Sequence, residues 1–284
     1  MPRRAIVVGA TGLVGRFLLP RLLAAGFHVR AWSRQPPPAA EAPGLVWEAR
    51  DVSRPLEWPP EAECLFHAAP LWLLPPLVAP LAATGLRRIV ALSSTSRFTK
   101  QASPSRHERE VAGRLAEAEA DLERRCAAGG LVWTILRPTL VYGGGRDRSV
   151  SDVARFARFL GFFPVAAEAR GKRQPVHADD LAVACLAAVD SPAAANRSYD
   201  LPGGATLTYA EMVGVVFRGL GREPRLVHVP TGVLRPLLRV ASCLPGWRHL
   251  DPAMADRMNE DQSFDAGPAE RDLGYAPRPF SFPG

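Results

Sequence analysis

Cysteine is scarce in this chain, and the few cysteines are not spaced for metal binding or cross-linking. The 284 residues include four cysteines, none of which stands close to another. Structural zinc sites use closely spaced cysteine or histidine pairs, and disulfide-stapled folds concentrate cysteines in a short chain. The sequence therefore predicts neither a metal site nor a disulfide framework, and it predicts reduced, mostly buried thiols at Cys64, Cys126, Cys185 and Cys243.

Long uninterrupted apolar segments are also missing. The longest apolar run, 68–83, is broken by four prolines and is shorter than the about 20 residues that a membrane-spanning helix needs. We expect this run to form a loop and a short helix over the core. The N-terminal residues pass from a strand-like run directly into glycines and lack a signal-peptide pattern. The sequence thus predicts a cytoplasmic protein without a transmembrane segment.

Lysine is nearly absent from a chain that is nonetheless basic. The formal net charge is +7, and Lys100 and Lys172 are the only lysines, so arginine carries the excess. The arginines are dispersed, and the sequence contains no zinc finger or other nucleic-acid-binding motif. We therefore expect a small-molecule substrate, with a phosphorylated or nucleotide-linked compound fitting the charge, and no nucleic-acid partner. The sequence leaves a homo-oligomer open.

Apolar strand-like runs alternate with helix-like segments through the first half of the chain. This alternation is typical of a parallel sheet with crossover helices. The predicted fold class is α/β, a doubly wound parallel-sheet Rossmann fold with a small C-terminal substrate lobe. The predicted strands of the first half are Ala5–Val8, His28–Trp32, Cys64–Ala68, Arg88–Leu92 and Val132–Leu136.

Sequence signals for helices lie between and after these strands. The clearest helix begins near Ser103-Pro104-Ser105, which supplies a capping serine and an early proline, and ends at Gly129-Gly130. A helix over 180–189 and a strand over 199–201 extend the same sheet. Further on we expect a helix over 209–220 and an apolar, basic segment over 232–244.

The irregular second half of the chain predicts the smaller lobe. We assign residues 1–142 and 174–202 to the Rossmann domain, and residues 143–173 and 203–284 to a lobe that contacts a substrate or partner. Within the lobe, residues 233–240 are also compatible with contact to a membrane or a partner. Pro236 should interrupt a helix there, and a lobe helix with its arginines in water is the favoured interpretation.

A glycine-rich loop connects the first strand to the first helix. Gly9, Gly12 and Gly15 are spaced Gly-x-x-Gly-x-x-Gly, with Thr11, Leu13 and Val14 between them. In this position backbone amides can turn tightly around a dinucleotide pyrophosphate at the positive end of a helix. The loop therefore predicts a dinucleotide cofactor.

The residues at the end of the second strand bear on which dinucleotide is bound. NAD-selective sites usually place an acid about 20 residues after the glycines, where it binds the ribose hydroxyls. This chain has no acid before Glu41, and Ser33 and Arg34 stand at the corresponding place. A guanidinium and a hydroxyl can bind the 2′-phosphate of NADP. We predict that NADP(H) is preferred and leave NAD(H) open.

With these residues in view, the chain resembles the extended and atypical branch of the short-chain dehydrogenase/reductase superfamily, the NAD-dependent epimerase/dehydratase-like proteins. The resemblance covers nearly the whole length. The matching segments are Gly9 to Gly15, Asp51-Val52, His67-Ala68-Ala69, Leu92-Ser93-Ser94-Thr95, Leu136-Arg137-Pro138, Val141-Tyr142-Gly143, Pro175-Val176-His177-Ala178-Asp179-Asp180 and Leu273-Gly274-Tyr275-Ala276-Pro277.

The resemblance implies a cofactor across the carboxyl ends of the strands, with the nicotinamide near Thr95 and Pro138 and the substrate under the C-terminal lobe. Asp51-Val52 stands where the family contacts adenine. Loop and resemblance together predict cofactor contacts at Gly9, Thr11, Gly12, Leu13, Val14, Gly15, Ser33, Arg34, Asp51, Val52, Ala68, Ala69, Pro70, Ser93 and Pro138.

The proton-transfer dyad of that family, Tyr-x-x-x-Lys, is not found in this sequence. Ser96 and Glu168 stand four residues before the two lysines. If Glu119 is placed on the glutamate that follows the family's dyad, Val111 and Leu115 occupy the tyrosine and lysine positions. We therefore expect chemistry without this pair.

Several groups could replace the missing dyad. Thr95 occupies the family's catalytic Ser or Thr position, and Ser96 and Lys100 follow it, so these three are the predicted catalytic residues. For Thr95 and Ser96, hydrogen bonding at a strand end is an equal alternative, and for Lys100 the alternative is a surface loop. His107 and Glu108 are expected to form a solvated first helical turn.

Three other polar positions have competing interpretations. His177, Asp179 and Asp180 could form a metal or acid/base cluster, but at a helix start we expect them to cap amides and fix the turn. Arg173 stands where extended members often contact the substrate diphosphate, and a surface arginine is an equal alternative.

Two functions follow from these expectations. The first is an NADP(H)-dependent oxidoreductase, epimerase or dehydratase acting on a carbonyl or nucleotide-sugar compound. The second is a non-catalytic NADPH-binding sensor or a structural or assembly protein.

Overall fold

The computed structural model describes residues 3–35, 42–54, 58–59, 62–145, 147, 149–167, 169–243, 247 and 250–282. A central sheet of seven parallel strands has the order β3-β2-β1-β4-β5-β6-β11. Its strands are β1 (Arg4–Val8), β2 (His28–Ser33), β3 (Leu45–Ala49), β4 (Cys64–His67), β5 (Arg88–Leu92), β6 (Val132–Pro138) and β11 (Arg197–Leu201).

The strand order confirms the doubly wound α/β prediction, because the chain reverses direction across the sheet at β1. All the strands predicted for the first half form, and so does the strand over 199–201. β3 was not predicted from the sequence. It is a half-exposed edge strand, so it lacks the continuous apolar run of the central strands.

Helices cover both faces of the sheet. On one face α1, α6 and α10 share a hydrophobic cluster with the strands, and on the other face α2 and α4 do so. The helices are α1 (Gly15–Ala24), α2 (Val78–Ala82), α3 (Ser96–Thr99), α4 (Arg106–Gly129), α5 (Val150–Leu160), α6 (Ala178–Asp190), α7 (Tyr209–Gly219), α8 (Thr231–Ala241), α9 (Met254–Arg257) and α10 (Gly267–Leu273).

The proline-containing run 68–83 packs over the sheet as expected. It forms two single 3₁₀ turns, 71–73 and 75–77, followed by α2. Leu71, Leu74 and Leu81 are fully buried beneath α4. Among the described residues, no helix is both long and apolar enough to cross a bilayer.

A third hydrophobic cluster lies outside the two sheet faces. It joins α5 and α7 with parts of 163–169, α8 and α9. Three short strand pairs frame it. They are β7 (Val141–Tyr142) with β10 (Val176–His177), β8 (Phe163–Ala166) with β13 (Leu226–Val229), and β9 (Lys172–Arg173) with β12 (Leu207–Thr208).

The C-terminal α10 packs on the central sheet rather than on the third cluster. Ala269, Leu273 and Tyr275 belong to the same cluster as α1 and α6, and the Tyr275 hydroxyl donates to the Pro202 carbonyl at 2.7 Å. The chain therefore returns to the Rossmann layer at α10, before Phe280 joins the third cluster.

Two local predictions about helices are wrong. Ser105 occupies the N-cap position of α4, but its hydroxyl donates to Asp251 at 2.6 Å and its side chain makes no capping bond. Pro236 does not interrupt the segment, because α8 continues through it. Because proline has no N–H, the Gly232 carbonyl lacks its helical hydrogen bond. Gly232 and Pro236 are both exposed, so water can bind this carbonyl instead. The end of the predicted segment at residue 244 lies outside the described residues.

Candidate cofactor and substrate site

Gly9 directly follows β1 and makes the first turn of the glycine loop. Its φ is +78°, and a Cβ built there would lie 2.7 Å from the Ala68 carbonyl carbon. The amides of Gly9 and Ala10 both donate to the Trp32 carbonyl at 3.2 Å. The loop is thus pressed against the ends of β2 and β4, and only glycine fits at its first position.

Gly12 and Gly15 complete the turn. Glycine is required at these two positions because backbone atoms lie very close to them. An added Cβ at Gly12 would lie 2.9 Å from the Gly9 oxygen, and one at Gly15 would lie 2.6 Å from the Gly9 and Ala10 oxygens. α1 then begins at Gly15, and no described side chain caps its first turn. Its positive end therefore opens on the loop, which suits a phosphate group.

The far end of the loop meets the end of β2. The Thr11 and Ser33 hydroxyls lie 2.9 Å apart, and Arg34 next to them is exposed. Asp51, at the end of β3, accepts from the Ser53 amide at 3.0 Å and from the Ser53 hydroxyl at 2.7 Å. These bonds lower the pKa of Asp51, with smaller contributions from nearby arginines that include Arg34.

The end of β4 forms the opposite wall of this cleft. The Ala68 carbonyl lies against Gly9, and Ala69 packs on the cluster beneath α4. His67 is fully buried, and burial lowers its pKa to about 4. Its Nε2 lies 3.2 Å from the Pro70 carbonyl oxygen, so a neutral ring supports the turn that carries Pro70. Val52 packs on the same cluster from the β3 side.

Thr95 lies between the ends of β5 and β6. Its amide and its hydroxyl both donate to the Pro138 carbonyl, at 3.1 and 3.2 Å. The hydroxyl proton is thus committed, and the hydroxyl oxygen remains an acceptor. Ser93, two residues earlier, donates its hydroxyl to the buried carboxylate of Glu119 on α4.

Glu119 anchors a buried charge network that the sequence analysis did not anticipate. Arg137 donates to it through Nε at 2.9 Å and Nη2 at 2.7 Å, and Arg97 donates to the same carboxylate oxygen. Asp200 of β11 lies 3.6 Å from Arg137. Two arginines therefore neutralise two acids, which fixes α3 and α4 to the ends of β5 and β6. The four residues are far apart in sequence, so no local pattern could have revealed them.

The three predicted catalytic residues, Thr95, Ser96 and Lys100, line one cavity of about 660 Å³. The cavity lies beyond the carboxyl ends of β5 and β6, between α3, α4 and the third hydrophobic cluster. Val111 also lines it, whereas Leu115 is buried in the cluster beneath α4. The position aligned with the family's tyrosine thus faces the cavity with an apolar side chain.

Lys100 and Glu108 form the charged end of the cavity. Lys100 Nζ lies 3.0 Å from Glu108 Oε1, and Arg257 of α9 pairs with the same carboxylate. Burial raises the pKa of Glu108, but the Ser103 hydroxyl bond and the charges of Arg257 and Lys100 outweigh it, so the pKa is lowered.

The prediction of a solvated first helical turn is therefore wrong for Glu108, which is 4% exposed, since α9 covers it. His107 is exposed, as expected.

Arg173 also lines the cavity but is not a surface arginine. It is 4% exposed, and its Nη1 donates to the carbonyls of Lys172 and Glu260 at 2.7 Å. Nη2 donates to the Arg257 carbonyl at the end of α9. Burial lowers the Arg173 pKa to about 10. These bonds fix α9 over the cavity.

His177, Asp179 and Asp180 fix the start of α6. His177 Nδ1 accepts from the Asp179 amide at 3.1 Å, which confirms the expected cap. The two acids bind Arg21 and Arg278 rather than the amides of α6. Asp179 holds Arg21 through two bonds of 2.6 and 2.8 Å, and Asp180 accepts from the amide and Nε of Arg278. The Arg21 bond lowers the pKa of Asp179 to about 2.

Comparison with known sequences gives distant relatives, and no protein-family model matches the chain. An uncharacterized protein of Sinorhizobium fredii is 28% identical over 97% of this chain and 75% of its own length. Subunit 9 of the NADH dehydrogenase (ubiquinone) 1 alpha subcomplex, mitochondrial, of Arabidopsis thaliana is 29% identical over 105 residues, which cover 37% of this chain and 26% of that protein.

Comparison with solved structures gives nearly full coverage. An epimerase from Methanothermobacter thermautotrophicus superposes with a TM-score of 0.72 at 15% identity, over 98% of this chain and 88% of the other. UDP-glucose 4-epimerase of Thermotoga maritima, bound to UDP-glucose, has a TM-score of 0.69 at 15% identity, over 97% and 94%. UDP-glucuronic acid 4-epimerase of Bacillus cereus, with UDP-glucuronic acid and NAD, has a TM-score of 0.72 at 12% identity, over 98% and 95%.

At these identities the likeness establishes the architecture, and it confirms the predicted resemblance at that level. The protein has a Rossmann fold like that of these epimerases.

Proposed function

We propose that this protein is an NADP(H)-dependent oxidoreductase, epimerase or dehydratase of the short-chain dehydrogenase/reductase type, acting on a carbonyl or nucleotide-sugar compound. One observation carries the proposal. The glycine loop and the cavity lined by Thr95 lie at the same carboxyl edge of the sheet. At Gly9 the loop has no room for a side chain. In open α/β sheets, ligands bind at this edge.

The glycine loop fits a dinucleotide. The absent Cβ atoms of Gly9, Gly12 and Gly15 leave backbone amides and the uncapped start of α1 as its phosphate-binding surface. Ser33, Arg34, Asp51 and the wall from Ala68 to Pro70 would hold the adenosine half, and Ser93 and Pro138 lie toward the other half. A bound nicotinamide would supply hydride exchange with the substrate.

The chain's own residues would orient the substrate and move a proton. Thr95 is available as an acceptor for a substrate hydroxyl. Lys100 carries a positive charge that Glu108 orients, and it can donate a proton or hydrogen bond to a carbonyl oxygen that gains negative charge. Ser96 adds a second hydroxyl at the same wall. These three groups replace the tyrosine and lysine whose aligned positions hold Val111 and Leu115.

The first test is titration of the purified protein with NADPH and NADH, followed by turnover with a panel of ketones, aldehydes and nucleotide sugars. We expect NADPH to bind more tightly and at least one substrate to oxidise it. Lys100→Ala should abolish turnover and retain NADPH binding, while Lys172→Ala, at the other lysine, should retain both. Failure of both nucleotides to bind would refute the proposal.

NADP preference has its own test. Arg34→Asp should weaken NADPH binding roughly tenfold or more and leave NADH binding nearly unchanged, because it places an acid where the 2′-phosphate would lie. Arg225→Asp, at an exposed arginine on the third cluster, makes the same change in net charge. Equal losses for both nucleotides with Arg34→Asp would contradict the selectivity argument.

A second function, a non-catalytic nucleotide-binding or structural protein, has one supporting observation. Val111 faces the cavity where the family's tyrosine would lie, so the usual proton donor is missing. The relative from Arabidopsis is a subunit of a larger complex. Tight NADPH binding with no turnover across the panel favours this second function.

The domain division and the location of the protein remain proposals. We propose that residues 143–173 and 203–284, apart from α10 on the Rossmann layer, supply the lobe over the cavity, and the third hydrophobic cluster supports this division. We propose a cytoplasmic location, which the four free cysteines support.

A further inference from the structure

We propose that the cavity takes an uncharged, largely apolar ketone, aldehyde or secondary alcohol, and not a nucleotide-linked sugar. This inference rests on the proposed function and selects one of its two substrate classes. It is argued from the charge balance and from the apolar wall of the cavity.

The described residues that line the cavity are electrically balanced. Three cationic side chains, Lys100, Arg173 and Arg257, are matched by three acidic ones, Glu108, Asp152 and Asp251. A nucleoside diphosphate adds two negative charges, and burying them requires an excess of cations or amides. The described part of this lining offers no such excess.

Each cation of the lining is already engaged within the chain. Lys100 and Arg257 share the carboxylate of Glu108, and Arg173 donates to carbonyls that include that of Glu260. A diphosphate bound here would compete with the buried carboxylate of Glu108 for these cations. Asp251, held by the Ser105 hydroxyl at 2.6 Å, would also repel a phosphate.

The opposite wall of the cavity is apolar and rich in methionine. The chain has four methionines, and the three that follow Met1, namely Met212, Met254 and Met258, all line this cavity. Methionine fills irregular space around apolar ligands because it is flexible and polarizable. Phe156, on α5, lies on the same wall. A wall of this kind stabilises a hydrocarbon body.

Two neighbouring leucines of α8 differ in their position relative to this wall. Leu238 lines the cavity, whereas the next residue, Leu237, is 53% exposed and lies outside it. The cavity volume of about 660 Å³ is within the usual range for a single small molecule. A single apolar compound fits a cavity with one charged end and one apolar wall, and its oxygen would lie at the end formed by Thr95 and Lys100.

The experiment measures binding of the uncharged fluorophore N-phenyl-1-naphthylamine to the full chain with saturating NADP, followed by competition with 2-decanone or UDP-glucose. We expect displacement by 2-decanone and none by UDP-glucose. Leu238→Gln should weaken fluorophore and 2-decanone binding roughly tenfold, because an amide replaces apolar contact. Leu237→Gln, the matched control on the same helix, should leave both unchanged.

Two results would overturn the inference: tighter binding of UDP-glucose than of 2-decanone, or equal losses from Leu237→Gln and Leu238→Gln. NADP binding and thermal unfolding of each variant are measured separately, so a misfolded variant is recognised. If NADP fails to bind, the proposed function is refuted. The same competition without the nucleotide then still measures the ligand preference of the cavity.

Discussion

Gly9 and Gly26 share a backbone conformation but differ in their surroundings. Their φ angles are +78° and +79°, yet a Cβ at Gly9 would collide with the Ala68 carbonyl, while one at Gly26 would meet nothing within 4 Å. The pair therefore separates the cost of a left-handed backbone from the cost of close packing.

We predict that Gly26→Ala costs about 1–2 kcal/mol of unfolding free energy, from the backbone conformation alone. Gly9→Ala should cost a further 1–3 kcal/mol or so, because the loop must move away from β4. It should also reduce NADPH affinity, since the displaced amides belong to the proposed phosphate site. Chemical denaturation and nucleotide titration measure both effects. Equal destabilisation by the two substitutions would show that the loop can yield without cost.

At the scale of elements, Asp179 joins three parts of the Rossmann layer. It starts α6, binds Arg21 of α1, and binds Arg278 of the C-terminal segment at 2.7 Å. The Arg21 bond is the main cause of its pKa of about 2, below the usual 3.8. Because the pKa is lowered by folding, the stabilisation is fully present above about pH 4 and is lost as the pH falls through 2.

We predict that Asp179→Asn lowers the unfolding free energy at pH 7 by about 1–2 kcal/mol, allowing for the partial exposure of both arginines. The difference from the wild type should shrink between pH 4 and pH 2. Asp190→Asn removes an ion pair with Arg3 in which the aspartate is 57% exposed, and it should cost under about 0.5 kcal/mol. Urea denaturation across this pH range measures both. A constant difference for Asp179→Asn down to pH 2 would contradict the assignment.

At the scale of the whole molecule, Glu108 connects the Rossmann layer to the segment over the cavity. Its carboxylate is shared by Lys100 and by Arg257 of α9. Ser105, three residues earlier, donates to Asp251 at the start of the same segment. The beginning of α4 thus holds residues 251–257 in place from two points.

We predict that Glu108→Gln costs about 2–3 kcal/mol, because two half-buried cationic groups lose the buried carboxylate that they share. Amide hydrogen exchange in residues 250–258 should become faster, whereas exchange in the central strands should change little. Glu110→Gln, at an exposed ion pair with Arg106 on the same helix, serves as the control and should leave both properties unchanged. Unaltered exchange in 250–258 with Glu108→Gln would show that other contacts hold the segment.

The sequence by itself determined the sheet, the loop and the likeness to a fold family, because these depend on local signals. Continuous apolar runs specify buried parallel strands wherever they occur, and the glycine spacing specifies a tight turn before α1. The edge strand β3 was not predicted, because a half-exposed strand lacks a continuous apolar run.

Only the tertiary structure decided the charge networks and the character of the cavity. Glu108 looks like a solvated helix residue until Arg257 of α9 covers it, and Glu119 meets Arg97 and Arg137 only in three dimensions. The side chains of Met212 and Met258 likewise become one wall only when their segments join the third hydrophobic cluster. Burial and ion pairing depend on contacts between distant segments, and a local sequence pattern cannot contain that information.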